Sequence, residues 1–201
     1  MKAAYTKPFL TAAFIILLDQ LIKIWVKTHM QLGEEIHLLG NRGMLHYTEN
    51  NGMAFGMELG GDLGKLVLTL FRIVAVCGIG YGLVHLIKNK YHRGLTMMVA
   101  LILAGAVGNI IDSAFYGVIY QYAPIFHGRV VDMFYFPLLS GNFPPWIPVW
   151  GGEDYIFFRP VFNIADAAIS VGVILILVFQ KSYFKEEVVE EIGINNEIVE
   201  D

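Results

Sequence analysis

The sequence Phe162-Asn163-Ile164-Ala165-Asp166-Ala167-Ala168-Ile169 opens an apolar run that continues to Phe179. A carboxylate within such a run is costly in a lipid bilayer, so Asp166 is a candidate functional residue. Asn163 and Asp166 are three residues apart, which places both side chains on one face of a helix. The alanines around them are small enough to let another helix approach closely. The stretch therefore predicts a membrane helix whose polar face is turned toward a partner within the protein.

A second isolated aspartate in apolar surroundings is Asp132, in the stretch Gly128-Arg129-Val130-Val131-Asp132-Met133-Phe134. It follows the preceding hydrophobic segment and is predicted to lie on the same side of the membrane as Asp166. Two carboxylates that face each other can share one proton, because their like charges split the pKa values. One can then act as a base on water while the other donates a proton to a carbonyl oxygen. We therefore expect Asp132 and Asp166 to form a catalytic aspartic dyad.

The composition of the chain favours a membrane protein. Of its 201 residues, 56% are hydrophobic and 16% are charged, and the mean hydropathy is +0.56. These values are too apolar for an ordinary soluble domain. The formal net charge of -4 hides an acidic segment from Glu186 to Asp201, and the rest of the chain is mildly basic. Nucleic acid is not an expected partner, and the single cysteine, Cys77, can form no intrachain disulfide.

Four apolar segments predict membrane-spanning helices, at about 9–26, 66–87, 95–119 and 161–180. The connection from Lys88 to Arg93 is basic, and lysines also precede the first span and follow the last one. Lysine and arginine are retained on the cytoplasmic side of a membrane. We therefore expect residues 1–185 to form one four-span membrane domain with both termini cytoplasmic. Residues 186–201 would be an acidic cytoplasmic tail.

The two connections predicted on the outer side have a different character. Residues 28–65 contain short alternating pieces between glycines, and residues 120–160 are rich in proline, glycine and aromatic residues. Such patterns are typical of small strands and turns. Tryptophan and tyrosine are also suited to the membrane interface. These connections are therefore not expected to cross the bilayer.

Further ionisable residues lie inside the predicted spans. Asp19 and Lys23 are four residues apart, in the order that favours an ion pair on a helix. At a rise of about 1.5 Å per residue, Asp112 lies roughly 25 Å from the inner end of the third span. Asp166 lies within roughly 7 to 8 Å of the outer boundary of the fourth span. The carboxylates of Asp112, Asp132 and Asp166 thus converge at one depth, near the outer surface.

Other hydrolytic chemistries lack their sequence patterns. There is no Gly-x-Ser-x-Gly motif, and Cys77 lies deep within a span, which argues against a serine or cysteine hydrolase. The six histidines are scattered and form no His-Glu-x-x-His motif, so a metalloprotease is unsupported.

Five separate blocks, in order along the chain, resemble the lipoprotein signal peptidase family, also called signal peptidase II. They are Asp19-Gln20-Leu21-Ile22-Lys23, Asn50-Asn51-Gly52-Met53-Ala54-Phe55, Gly108-Asn109-Ile110-Ile111-Asp112, Gly128-Arg129-Val130-Val131-Asp132 and Phe162-Asn163-Ile164-Ala165-Asp166. The resemblance extends from Asp19 to about Ile176.

The resemblance implies an intramembrane aspartic endopeptidase of the bacterial cytoplasmic (inner) membrane. It would remove signal peptides from diacylglyceryl-modified prolipoproteins by cutting before the lipidated cysteine, with no metal or cofactor. Membrane lipid and cyclic peptide inhibitors of the globomycin type would be further partners. The implied fold is an all-α polytopic membrane protein, in which four transmembrane helices carry a small β-rich extracytoplasmic cradle and a mobile lid.

The resemblance also assigns roles to residues. Asp132 and Asp166 match the catalytic aspartates, and Asp19 and Lys23 are expected to be structural. The residues expected to bind substrate or orient the dyad are Asn50, Gly52, Asn109, Asp112, Arg129 and Asn163. The family usually has arginine directly after the Asn-x-x-Asp block, where this chain has Ser113. Arg129 is a candidate for the missing cation.

Two other functions fit some of the same residues. An ion-coupled transporter or channel subunit could use Asp19, Asp112 and Asp166 as a relay, but four spans without an inverted repeat offer little basis for alternating access. The polar residues could also act only as hydrogen-bonding contacts between helices. That role does not explain why the carboxylates gather at the outer end.

Overall fold

The structure is a computed structural model that describes residues 2–51, 61–137, 139–149, 151–157 and 160–184. Gly52 and the acidic tail over 186–201, both named from the sequence, lie outside the described residues.

Most of the described chain is helical. Helix α1 is Lys2–His29, α2 is Gly61–Lys88 and α3 is Arg93–Ile111, which continues through a π-helical turn at Asp112–Tyr116 into α4 at Gly117–Ile119. Helix α5 is Ile164–Val178 and α6 is Gln180–Tyr183. Within the described residues, three helical stretches are long and apolar enough to cross a membrane: Tyr5–His29, Gly61–Lys88 and Arg93–Ile119.

The segment predicted as the span 161–180 is divided in the structure. Its first residues, Val161–Phe162, form a β-strand, and the helix begins only at Ile164 and ends at Val178. Asn163 causes the change of direction, because its extended backbone and side chain cap the helix. Helix α5 is therefore a shorter apolar helix of 15 residues.

In the part of the chain that the structure describes, six short strands form two sheets. Strands β1 (Glu35–His37), β2 (Met44–Asn50), β3 (Val130–Tyr135) and β6 (Val161–Phe162) form one antiparallel sheet in the order β1-β2-β3-β6. Strands β4 (Leu139–Asn142) and β5 (Asp154–Phe157) form a separate two-stranded sheet.

The larger sheet packs against the end of α1. Its inward side chains join those of α1 and of the π-helical turn in one buried apolar cluster, made of Val26, Met30, Tyr47, Tyr116, Val131 and Met133. Because β3 lies at the centre of this sheet, the cluster holds this strand, which carries Asp132, against the end of α1 and the π-helical turn.

Helices α3 and α5 approach each other closely through small residues. A Cβ atom added at Gly105 would lie 2.2 Å from the carbonyl oxygen of Ala165, and one at Gly108 would lie 2.7 Å from Oδ2 of Asp19. Only glycine leaves room for these contacts. The close approach brings the start of α5 next to the polar residues of α1 and α3.

We expect Gly105→Ala to destabilise the protein by about 1–3 kcal/mol, because the added methyl group would collide with the α5 backbone. The matched control is Gly78→Ala in α2, where a Cβ meets no described atom within 4 Å. Thermal unfolding of both variants in detergent measures the difference. Equal midpoints would contradict the close packing of α3 and α5.

Candidate active site

The sheet and α5 together bring Asp132 and Asp166 into one site. Asp132 lies on β3 opposite Thr48 of β2. Strand β6 pairs with β3 in an antiparallel register that sets Phe162 opposite Phe134, so the chain leaves β6 beside the Asp132 segment and turns there into α5. Asp166 is in the first turn of that helix.

Two asparagines connect the two aspartates. Asn163 donates from Nδ2 to Oδ1 of Asp132 at 2.6 Å, and its Oδ1 accepts the backbone N–H of Asp166 at 2.9 Å. Asn109 donates from Nδ2 to Oδ1 of Asp166 at 2.8 Å, and its Oδ1 accepts from Asn163 at 3.1 Å. Asn50 donates a further short hydrogen bond to Oδ2 of Asp132. Each carboxylate is thus oriented by neutral amide groups.

The environment of Asp132 changes its acidity. Its side chain is only 2% exposed. Burial, followed by the negative charge of Asp166, raises the pKa of Asp132 to about 7, and Lys23 and the hydrogen bonds from Asn163 and Asn50 only partly oppose the shift. A carboxyl group with this pKa exists in both protonation states near neutral pH, as acid–base chemistry requires.

A buried ion cluster lies beside the two aspartates. Lys23 places its Nζ 2.9 Å from Oδ2 of Asp19 and 2.8 Å from Oδ2 of Asp112, and 3.0 Å from Oδ1 of Asn109. The ion pair predicted between Asp19 and Lys23 is therefore present, and Asp112 shares it. All three charged side chains are almost fully buried.

The carboxylates of this cluster also bind the backbone of the segments that carry the other two aspartates. Asp19 accepts the N–H of Ala165, at the start of α5, at 2.9 Å. Asp112 accepts the N–H of Val131, next to Asp132, at 3.2 Å. One lysine thus holds two carboxylates, and each carboxylate holds one of the segments that bear the candidate dyad.

A second polar cluster lies where β2 meets the end of α1. Glu49 forms a short ion pair with Lys27 and accepts a hydrogen bond from Tyr47 at 2.6 Å. Burial would raise the pKa of Glu49, but the hydrogen bonds from Lys27 and Tyr47 and the nearby positive charges outweigh it and lower the pKa. The cluster fixes the residue that precedes Asn50.

The position of Arg129 corrects the expectation that it supplies a cation to Asp112. Its guanidinium lies 3.6 Å from Glu49 and over the ring of Tyr122, and the side chain is 51% exposed. Within the described part of the chain, the cation in contact with Asp112 is Lys23. The contact of Lys23 with Asp112 could not be inferred from the sequence, because the two residues are 89 positions apart.

Sequence reasoning missed two further members of the site. Gln20 donates to Oδ1 of Asp112 at 3.0 Å. Arg72 of α2 donates from Nη1 to Oγ of Ser113 at 3.3 Å. The signal for Arg72 was its charge within an apolar span, which is as costly as that of the aspartates.

Among the described residues, no group of three or more histidine, cysteine, aspartate or glutamate side chains is placed to hold a metal ion.

The chain is similar to known proteins over most of its length. The sequence profile of the family described as Signal peptidase (SPase) II matches residues 11–181. The lipoprotein signal peptidase of Porphyromonas gingivalis is 51% identical over 186 residues, which covers 83% of this chain and 80% of that protein. The lipoprotein signal peptidase of Amoebophilus asiaticus is 41% identical, and the coverage is 88% of this chain and 78% of the relative.

The fold is also similar to that of a solved structure. A bacterial membrane enzyme, determined by the in meso method at 1.9 Å resolution, superposes with a TM-score of 0.61. The sequences are 26% identical, and the alignment covers 90% of this chain and 95% of that one.

We expect Lys23→Met to cost about 3–5 kcal/mol of stability, because it leaves two buried carboxylates without their cation. Lys88→Met, at an exposed position in α2, is the matched control. Adding Asp19→Asn and Asp112→Asn to Lys23→Met should recover part of the loss, since it removes the buried charges. Chemical unfolding in detergent measures these differences, and a Lys23→Met variant as stable as the control would contradict the structural role of the cluster.

Proposed function

This chain belongs to the signal peptidase II family, which removes signal peptides from prolipoproteins, and we propose that Asp132 and Asp166 are its catalytic pair. The observation that carries the proposal is the hydrogen-bond chain through Asn163 and Asn109 that connects the two carboxyl groups. Within this arrangement, burial and the charge of Asp166 raise the pKa of Asp132 to about 7. Two carboxyl groups of this kind can hold one proton between them at neutral pH.

The raised pKa makes Asp132 the natural holder of the shared proton, and Asp166 then acts as the base. Asp166 takes a proton from a water molecule while the oxygen of that water attacks the scissile carbonyl carbon. At the same time Asp132 donates its proton to the carbonyl oxygen. When the carbon–nitrogen bond breaks, the proton on Asp166 passes to the leaving amine. The carbonyl group re-forms as the hydroxyl group made from it returns its proton to Asp132. The pair of aspartates therefore ends with one proton, as it began.

The other polar residues divide into two groups in this mechanism. Asn109 and Asn163 orient the carboxylates without taking up protons, because an amide does not titrate in this range. Asp19, Lys23 and Asp112 hold the backbone. Asn50, which reaches Asp132 from β2, is suited to the side of the site where an extended substrate would lie, and its neighbour Gly52 is proposed to contact that substrate through its backbone.

The described helices and the family indicate a multi-pass protein of the bacterial inner membrane. We propose four spans, with α5 as the fourth, and an active site near the outer face. The basic connection from Lys88 to Arg93 supports this orientation, because it lies between α2 and α3 at the ends remote from Asp112. The larger sheet would then form an extracytoplasmic cradle, and both termini would be cytoplasmic.

The proposed substrates are diacylglyceryl-modified prolipoproteins, cut before the lipidated cysteine. The helices expose many large apolar side chains, among them Phe14, Leu17, Leu21, Phe71 and Val74. Such surfaces suit contact with lipid, so the acyl chains of a substrate can remain in the outer leaflet while the peptide reaches the dyad. A globomycin-type cyclic peptide would compete for the same position.

Family membership favours the peptidase over the ion-coupled transporter. The ion pairs of Asp19 and Asp112 with Lys23 also argue against a relay, because a carboxylate held by a buried cation is a poor carrier of exchangeable ions.

We expect Asp132→Asn and Asp166→Asn each to lower kcat/KM by about 10²–10⁴-fold or more, because either change removes the shared proton while almost preserving side-chain volume. The assay follows signal peptide release from a diacylglyceryl-modified prolipoprotein by the purified protein in lipid. Asp62→Asn, at an exposed position in α2, is the matched control. Wild-type turnover by either dyad variant would rule out the pair, and equal cleavage of an unlipidated substrate would contradict the proposed specificity.

We expect cysteines introduced at Asn89 and Asn142 to react from opposite sides of a sealed membrane. Position 89 lies in the basic connection, and position 142 lies on β4. The starting protein is Cys77→Ala, so that only the introduced thiols react with an impermeant reagent. Labelling of both positions from outside would overturn the proposed orientation.

A further inference from the structure

The half of α2 nearest the site carries a polar face. Lys65, Thr69 and Arg72 are spaced by four and three residues, which aligns them on one side of the helix. Lys65 donates to the carbonyl oxygen of Asn51 at 2.8 Å, and Thr69 donates to that of Phe126 at 3.0 Å. The polar face therefore points into the protein, while most other side chains of α2 are at least partly exposed.

Arg72 connects this face to the candidate dyad. Its Nη1 donates to Oγ of Ser113, and the same hydroxyl donates to the carbonyl oxygen of Asn109 at 3.0 Å. Asn109 in turn holds Asp166. The positive charge of Arg72 also attracts the carboxylates of the site, Asp166 most strongly, then Asp132 and Asp112.

The balance of charge defines what Arg72 contributes. Asp19 and Asp112 share Lys23, so this cluster keeps one negative charge in excess when both carboxylates are ionised. Lys23 also attracts Asp132, and Arg72 also attracts Asp112. The dyad carries one net negative charge when it holds one proton, and the positive charge of Arg72 acts on both of its carboxyl groups. On β2, Glu49 is compensated by Lys27 and Arg129.

We propose that Arg72 is a positioning residue of the active site, which holds the dyad in its singly protonated state by its charge and through Ser113. The proposal rests on the proposed function of Asp132 and Asp166. A nearby cation favours ionised carboxylates, so Arg72 opposes the uptake of a second proton. A guanidinium does not lose its proton in proteins, so this influence is constant over the working pH range.

The test is the pH profile of kcat/KM, which reports ionisations of the free enzyme. Wild type should lose activity as the pH rises through about 7, where Asp132 loses its proton. In Arg72→Gln, the acidic and the basic limb of this pH profile should both move to higher pH by about one unit. The reason is that the ionised carboxylates have lost a stabilising positive charge. At acid pH this shift lowers kcat/KM by about tenfold, since one pKa unit corresponds to a factor of ten.

Two further variants and one control separate charge from structure. Arg72→Lys keeps the charge and should keep most of the wild-type profile, and Arg72→Gln combined with Ser113→Arg should restore part of it by returning a guanidinium to the same contact. Lys88→Gln removes a charge from the other end of the same helix and should leave the profile unchanged. Thermal unfolding establishes that each variant is folded.

A folded Arg72→Gln variant with the wild-type pH profile would overturn the role of Arg72. The proposal that Asp132 and Asp166 are the catalytic pair would still stand in that case, provided that Asp132→Asn and Asp166→Asn are inactive. An active Asp132→Asn variant would instead remove the dyad on which the proposal rests. If Arg72→Gln does not fold, Ser113→Ala decides the question. Ser113→Ala removes the hydroxyl group that the guanidinium contacts, so both limbs of its pH profile should move to higher pH by less than in Arg72→Gln. An unchanged profile would overturn the proposal.

Discussion

The structure depends on the neutralisation of carboxylates that the fold buries. An unpaired charge in an apolar interior is unstable, so each buried carboxylate requires a cation or hydrogen-bond donors. Lys23 meets this requirement for Asp19 and Asp112 together. Because these carboxylates also accept backbone hydrogen bonds from Ala165 and Val131, the ion cluster attaches α1 and α3 to α5 and β3. The two segments that carry the candidate dyad are thus positioned by one lysine.

The difference between the two pairs of aspartates follows from the charge of their partners. Asp19 and Asp112 contact the ammonium group of Lys23. The hydrogen bonds described at Asp132 and Asp166 come from asparagine amides and are directional but uncharged. An amide can orient a carboxyl group while leaving its protonation responsive to burial and to the neighbouring carboxylate. The same residue type is thus held by a lysine at one pair of positions and by asparagine amides at the other.

The close approach of α3 and α5 makes this arrangement possible. At Gly105 and Gly108 the absence of side chains lets the start of α5 reach the polar residues of α1 and α3. The π-helical turn that follows α3 begins at Asp112, and such turns occur frequently at functional sites. Strand β6 completes the geometry, because its pairing with β3 brings the N-terminus of α5 to Asp132.

The sequence by itself did not show that residues 161–180 divide into strand β6 and the shorter helix α5. It did determine the three longer apolar helices, the ion pair of Asp19 with Lys23, and the choice of Asp132 and Asp166 as the candidate pair. These features follow from local spacing and from the cost of a carboxylate within an apolar run, and both can be read along one segment. Only the tertiary structure decided that Lys23 is the cation of Asp112, that Asn50 reaches Asp132, and that Arg72 contacts Ser113. Such contacts join residues 41 to 89 positions apart. Helix packing and strand register bring them together, and neither is encoded in the periodicity of a single segment.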